Sequence, residues 1–168
     1  MPSPLKVQFI HGLEGSPYGI KSQQLKQEFD ALTPEMDTSD FEACIRLQSD
    51  AIVSFAPDLL VGSSFGGAVA LALLQQGLWA GPTLLLAQAG LRYGLPASLP
   101  VGIPIWLVHG LFDDVIDLED SRQLARSGHP DSVRLIEVED GHSLSKSVAN
   151  GDFIGWVREL AAAPRPDR

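Results

Sequence analysis

The sequence predicts an α/β protein built on a mostly parallel sheet with helices on both faces. Three observations carry that prediction. Short apolar runs at 59–61, 83–87 and 105–108 have the continuous hydrophobicity of strands buried on both sides. The segments between several of them have helical composition or helical apolar spacing. The two kinds of segment alternate along nearly the whole chain, as in consecutive βα units. The 168 residues suit one domain over 1–163, with 164–168 as a disordered tail.

Residues 5–10, Leu-Lys-Val-Gln-Phe-Ile, alternate before turning apolar and form the first predicted strand, followed by a glycine-rich loop at His11–Pro17. Tyr18–Phe29 is a predicted amphipathic helix with Ile20, Leu25 and Phe29 towards one face. Ala31–Met36 is a weak strand, interrupted by Pro34. Ser39-Asp40 suits a helix start ahead of Phe41–Phe55. Leu59–Val61 is the next strand, and Phe65–Gln76, rich in alanine and leucine, the helix after it. Gly77–Pro82 breaks the chain before the strand Thr83–Ala87. Ala89–Ile103, punctuated by glycine and proline, is read as a loop. Ile105–Val108 is a strand, Leu118–Ser127 a helix, and Val133–Val138 the last strand. That makes about six strands in all. A short helix after Ser143 and an amphipathic closing helix at Phe153–Ala163 complete the chain.

Charge and composition exclude several classes of function. The net charge of −9 argues against nucleic acid as a partner, which needs a basic face, and predicts little attraction to anionic membranes. No apolar run approaches the ~20 residues of a membrane helix. No secretory signal pattern precedes the first strand, so the expected compartment is the cytoplasm. A single cysteine, Cys44, permits neither an internal disulfide nor a cysteine-based metal site. It falls in a stretch with helical apolar spacing and is expected to be a buried packing residue.

The most informative stretch is Asp58–Gly67 (DLLVGSSFGG). A strand here meets a helix through Gly62-Ser63-Ser64-Phe65-Gly66, a G-x-S-x-G turn in the strand–turn–helix context that gives the pattern meaning. Such a turn raises its middle serine above the sheet edge and crowds the positions two before and two after it. Centred on Ser63, those positions are Val61 and Phe65, which are bulky. Centred on Ser64, both are glycine. Ser64 is therefore the candidate nucleophile.

A serine hydroxyl is a poor nucleophile at neutral pH and needs an oriented general base. His142, in the loop after the last strand, is the candidate base. Asp113, after the strand 105–108, is a candidate to accept the ring N–H of His142, with Asp114 and Asp117 as competitors. Asp117 also suits a helix cap. Two backbone N–H groups, of Phe65 at the helix start and Leu13 in the first loop, are the candidate oxyanion hole. His11 and His109 each precede glycine at a strand end, and are expected to hydrogen-bond nearby loop backbone.

The order Ser64, Asp113, His142 is that of the α/β-hydrolase fold. Together with His11-Gly12-Leu13, Gly62–Gly67, His109-Gly110-Leu111-Phe112-Asp113 and Gly141-His142, it resembles that superfamily over essentially the whole length. The resemblance selects Asp113 as the acid, with Ile116 as the trailing apolar residue of the motif. More narrowly, His11–Pro17 followed by Lys21-Ser22-Gln23-Gln24-Leu25 resembles the small YqiA-type esterases. The resemblance implies an α/β-hydrolase fold, from which this sequence departs in size. Family members commonly have eight strands and a cap after the sixth, whereas here the N-terminal strands are missing and the insertion is a short loop, so a compact fold without a cap domain is expected. The resemblance also implies a serine hydrolase acting on a small-molecule carboxylic ester or thioester, with no metal or organic cofactor needed, and the open, lidless site suits small acyl groups. A non-catalytic binding scaffold of the same fold is the alternative.

Overall fold

The computed structural model describes residues 3–164; of the expected disordered tail, 165–168 lie outside the described residues. Strands β1 (Lys6–Ile10), β2 (Asp30–Leu32), β3 (Leu59–Ser63), β4 (Thr83–Leu86), β5 (Ile105–Gly110) and β6 (Val133–Val138) form one sheet. Its order is β2-β1-β3-β4-β5-β6 and every neighbouring pair is parallel. The helices are α1 (Ile20–Glu28), α2 (Phe41–Phe55), α3 (Phe65–Gln75), α4 (Leu118–Ser127), α5 (Ser145–Ala149) and α6 (Asp152–Ala162).

Strand periodicity divides the core into two layers. Leu60, Leu85, Ile105 and Leu107 turn to one face and pack with Ile45 of α2, Val69 and Leu73 of α3, and Leu124 of α4. Their chain neighbours Leu59, Val61, Leu84, Leu86 and Val108 turn to the other, against Leu25 of α1, Val148 of α5 and Phe153, Val157 and Leu160 of α6. Apolar residues must therefore run continuously along β3 and β4, which is why those strands are legible as unbroken runs. In β1 the same double burial overrides the alternation: Gln8 is fully buried, and its Nε2 donates to Oε1 of Gln48 on α2 at 2.8 Å.

The chain leaves β1 for β2 on one side and returns through α2 to β3 on the other. The sheet's switch point thus falls between β1 and β3, where a crevice opens at the carboxyl ends of the strands. There α3 starts hard against the end of β1. A Cβ on Gly66 would stand 1.9 Å from the Ile10 carbonyl oxygen, and one on Gly62 would stand 2.5 Å from the Gly66 carbonyl oxygen.

Several expectations need correction. The first helix begins at Ile20 rather than Tyr18; of its expected apolar face only Leu25 is fully buried, Ile20 being 72 % exposed. The second strand is Asp30–Leu32, earlier and shorter than expected. It is an edge strand pairing β1 over three positions, and Pro34, which lacks an N–H, lies beyond its end. The loop after β4 contains a 3₁₀ turn, Gly90–Tyr93. Asp40 caps α2 by accepting from the Ala43 N–H at 3.0 Å, and Asp117 caps α4 through the Glu119 N–H at 2.9 Å. Cys44 is buried in the α2 layer.

The contact at Gly66 predicts a large effect from a small change. Gly66→Ala must push α3 away from β1, and overpacking against backbone is expected to cost about 3 kcal/mol or more. Urea denaturation measures this; a loss below about 1 kcal/mol would mean that the two elements can separate freely.

Candidate active site

Ser64 stands between β3 and α3 with φ 56° and ψ −114°, backbone that L residues seldom adopt. The turn is held on both sides: the Ser64 N–H donates to Leu86 O at 2.9 Å, and the Ala89 and Ala68 N–H groups donate to Ser64 O at 3.0 and 3.1 Å. Ser63 is the last residue of β3, with neither its strain nor its glycine flanks. The Phe65 ring is buried against Phe41 and Tyr93, with centroids at 5.8 and 5.1 Å. This anchors the first turn of α3, whose Phe65 N–H is next to the serine.

Ser64, His142 and Asp113 form one continuous chain of contacts. Ser64 Oγ lies 2.9 Å from His142 Nε2, and His142 Nδ1 lies 2.8 Å from Asp113 Oδ2. An ionised carboxylate only accepts, so Nδ1 carries a proton and donates it, leaving Nε2 free to accept from the serine hydroxyl. The Asp113 side chain is fully buried and that of His142 is 23 % exposed. Burial pushes the Asp113 pKa up, but the N–H of Ile116, the His142 ring and the N–H of Val115 outweigh it and hold the carboxyl below its ordinary value. Both N–H donors reach Oδ1, at 2.8 and 2.9 Å, leaving Oδ2 for the imidazole. Of the competitors, Asp114 is exposed and Asp117 is committed to its cap.

Leu13 follows Gly12, whose notional Cβ would lie 3.4 Å from Ser64 Cβ and 4.0 Å from the Phe65 nitrogen. The loop after β1 therefore runs directly over the serine turn. His11 is buried beneath it. Its Nε2 accepts from the Met36 N–H at 3.1 Å, so Nδ1 carries the proton and donates to the Gly12 carbonyl at 2.8 Å.

Three side chains play parts that sequence reasoning either missed or understated. His109, fully buried, donates from Nε2 to the Ile116 carbonyl at 2.9 Å and accepts at Nδ1 from the Ser121 hydroxyl at 2.7 Å. Ser121 in turn accepts from Gln88 Nε2 at 3.0 Å. His109 Nε2 also lies 3.2 Å from Asp113 Oδ2, so this buried chain supports the carboxylate from behind as well as bonding loop backbone. Asp140, also buried, ties the His142 loop to α5: its Oδ1 accepts from the Gly141 N–H at 2.8 Å and its Oδ2 from the Ser147 N–H and hydroxyl at 3.0 and 3.1 Å. The aspartate two residues before the histidine was a signal open to reading. Lys21, on the first turn of α1, donates from Nζ to the Ser143 carbonyl at 2.8 Å; nothing in its helical spacing points to that contact 122 residues away.

His11, Lys21 and the Gly12–Leu13 loop line a cleft of about 640 Å³ above the carboxyl ends of β1 and β3. Ser64 and His142 lie in its wall with the partly exposed Leu13, Ile20 and Val115. Among the described residues no cluster of histidine, cysteine and carboxylate side chains could hold a metal, and no helix is long and apolar enough to cross a membrane.

The fold is that of the α/β-hydrolases. An inferred hydrolase from Agrobacterium vitis S4 superposes with a TM-score of 0.79 at 16 % identity, over 94 % of this chain and 88 % of the other. An inferred hydrolase of the α/β superfamily from Xanthomonas campestris pv. campestris gives 0.75 at 22 %, over 92 % and 98 %. An esterase from Pyrococcus furiosus gives 0.68 at 15 %, over 94 % and 82 %. The sequence matches no protein-family model and no curated protein.

The Asp140 contacts predict a pH-dependent contribution to stability. Burial raises its pKa, but the donors of Ser147 and Gly141 together bring it below the ordinary 3.8. A carboxyl depressed in the folded state stabilises above its unfolded pKa, and that stability is lost as the pH falls through the folded value. Asp140→Asn is expected to cost about 1–3 kcal/mol at neutral pH, a gap that closes in acid. Urea titrations of both proteins at about pH 7 and about pH 3 test this; a gap that stays constant would remove charge from the explanation.

Proposed function

We propose that this protein is a serine hydrolase that cleaves carboxylic ester or thioester bonds through an acyl-enzyme. The observation that carries the reading is the continuous Ser64–His142–Asp113 chain of contacts, with the serine on strained backbone at the mouth of a cleft. In this reading Ser64 Oγ attacks the substrate carbonyl carbon while His142 Nε2 takes the hydroxyl proton. The oxyanion is held by the N–H groups of Phe65 and Leu13. Asp113 keeps the imidazole in the tautomer that can accept, and stabilises the imidazolium once it forms. As the carbonyl reforms, the C–O or C–S bond to the leaving group breaks and His142 returns the proton to it. Water, deprotonated by His142, then attacks the acyl-serine and releases the acid and the free hydroxyl.

Every step is proton transfer, addition at carbonyl carbon or expulsion of a leaving group from it, so this chemistry calls on no metal or organic cofactor. The exposed apolar side chains of Leu13, Ile20 and Val115 in the cleft wall suit a small apolar acyl group in an open site. The loop His11–Pro17 and the segment Lys21–Leu25 favour the small YqiA-type esterases as the narrower group.

Labelling with a fluorophosphonate probe reports an activated serine without any guess about substrate. Wild type and Ser63→Ala are expected to label and Ser64→Ala to remain dark. On an activated ester, Asp113→Asn is expected to lower kcat by about 10⁴-fold. Folded wild type that takes no label would overturn the hydrolase reading in favour of a binding scaffold.

A further inference from the structure

We propose that Lys21 anchors an anionic group of the substrate, so that the preferred esters carry a carboxylate or similar anion on their acyl or alcohol part. The inference rests on the hydrolase reading and assigns the substrate class of the same cleft. Among the described residues Lys21 is the only lysine or arginine lining that cleft, which also holds Ser64 and His142. Its Nζ reaches the carbonyl of Ser143, the residue after His142, at 2.8 Å. The fixed positive charge thus sits beside the imidazole-bearing loop rather than out in solvent.

The ammonium is poorly compensated where it stands. It has three donors, and its protein hydrogen bond is the one to Ser143. Among the described residues no carboxylate comes within 4.0 Å of it. Asp140 pulls its pKa up, but burial pulls it down further, so the lysine titrates below its ordinary value. The first turn of α1 carries no acidic residue and no side-chain cap, so the helix itself supplies nothing to neutralise the charge. Glu14, the one carboxylate in the cleft wall among the described residues, is exposed on the loop after β1.

Tying α1 to the His142 loop would require only a neutral donor. A half-buried cation with spare N–H groups, in a protein of net charge −9, is instead suited to a ligand that brings its own negative charge. The chain's overall charge repels anions from the surface at large. Attraction is confined to this one point in the cleft, which makes the position of the anion on the substrate a selected feature.

The test compares matched ester pairs: 4-nitrophenyl hydrogen esters of succinic, glutaric and adipic acids against their neutral methyl-ester counterparts, and 3-carboxyphenyl butyrate against its methyl ester. The readout is the ratio of kcat/KM, anionic over neutral, within each pair. Wild type is expected to favour the anion by about tenfold or more in at least one pair. Lys21→Met should collapse that ratio towards one and Lys21→Arg should largely keep it. A loosened His142 loop would lower both members of a pair together and leave the ratio alone, so a Met variant with an unchanged ratio overturns the proposal and leaves Lys21 as a tie. A wild-type ratio of one or below in every pair also overturns it. Hydrolysis of the neutral esters alone would keep the serine hydrolase reading, whereas turnover of no ester by folded protein would remove both.

Discussion

The structure depends on how closely the first turn of α3 approaches the end of β1. Gly66 leaves no room for even a methyl group against the Ile10 carbonyl, so the helix starts at the sheet edge rather than above it. From that contact follow the left-handed backbone of Ser64 and the exposure of its hydroxyl. The passage of the Gly12–Leu13 loop over the Phe65 nitrogen follows as well. A looser junction would let the serine relax into ordinary backbone and draw the Gly12 loop away from it.

The acid side of the site follows a different logic. Asp113 is buried on a loop, and a buried carboxylate is tolerated only where donors surround it. Val115, Ile116 and His142 supply them. Behind these, a chain runs from Gln88 through Ser121 to His109, in which Gln88 Nε2 can only donate and the Ile116 carbonyl can only accept. Both ends of the imidazole pair are thereby oriented, the serine by backbone strain and the aspartate by a buried polar network.

Much of this was legible in the sequence because burial on both faces makes β3, β4 and β5 apolar over most of their length, and because a serine turn tolerates only glycine at Gly62 and Gly66. The same reasoning selects Ser64 over Ser63 without coordinates. β2 was harder to read, since an edge strand pairing over three positions need not be apolar; its burial is intermediate at best. Ile20 fits a helical apolar face by spacing but stands in the wall of the cleft, while Ser22 on the same first turn is the residue that is buried. Residue type suggests a base and an acid for Ser64, whereas the choice of Asp113 over its neighbours came from resemblance and is matched by contacts only the fold could reveal. The roles of Lys21, Asp140 and the His109 chain depend on side chains meeting across different loops, which periodicity does not encode.

The connection from β4 to β5 emerges at the same sheet edge as the site but contributes none of the Ser64–His142–Asp113 chain. Its middle is held to α3 by Gln75 Nε2, which donates to the Pro96 and Ser98 carbonyls at 2.8 and 2.9 Å, while Gly94 beside it faces open space. Lengthening a surface loop costs only about 0.6 kcal/mol per doubling. The molecule is therefore modular in an evolutionary sense: a segment grafted at that tip could roof the cleft and redefine what enters it, while the Ser64–His142–Asp113 contacts below keep their geometry.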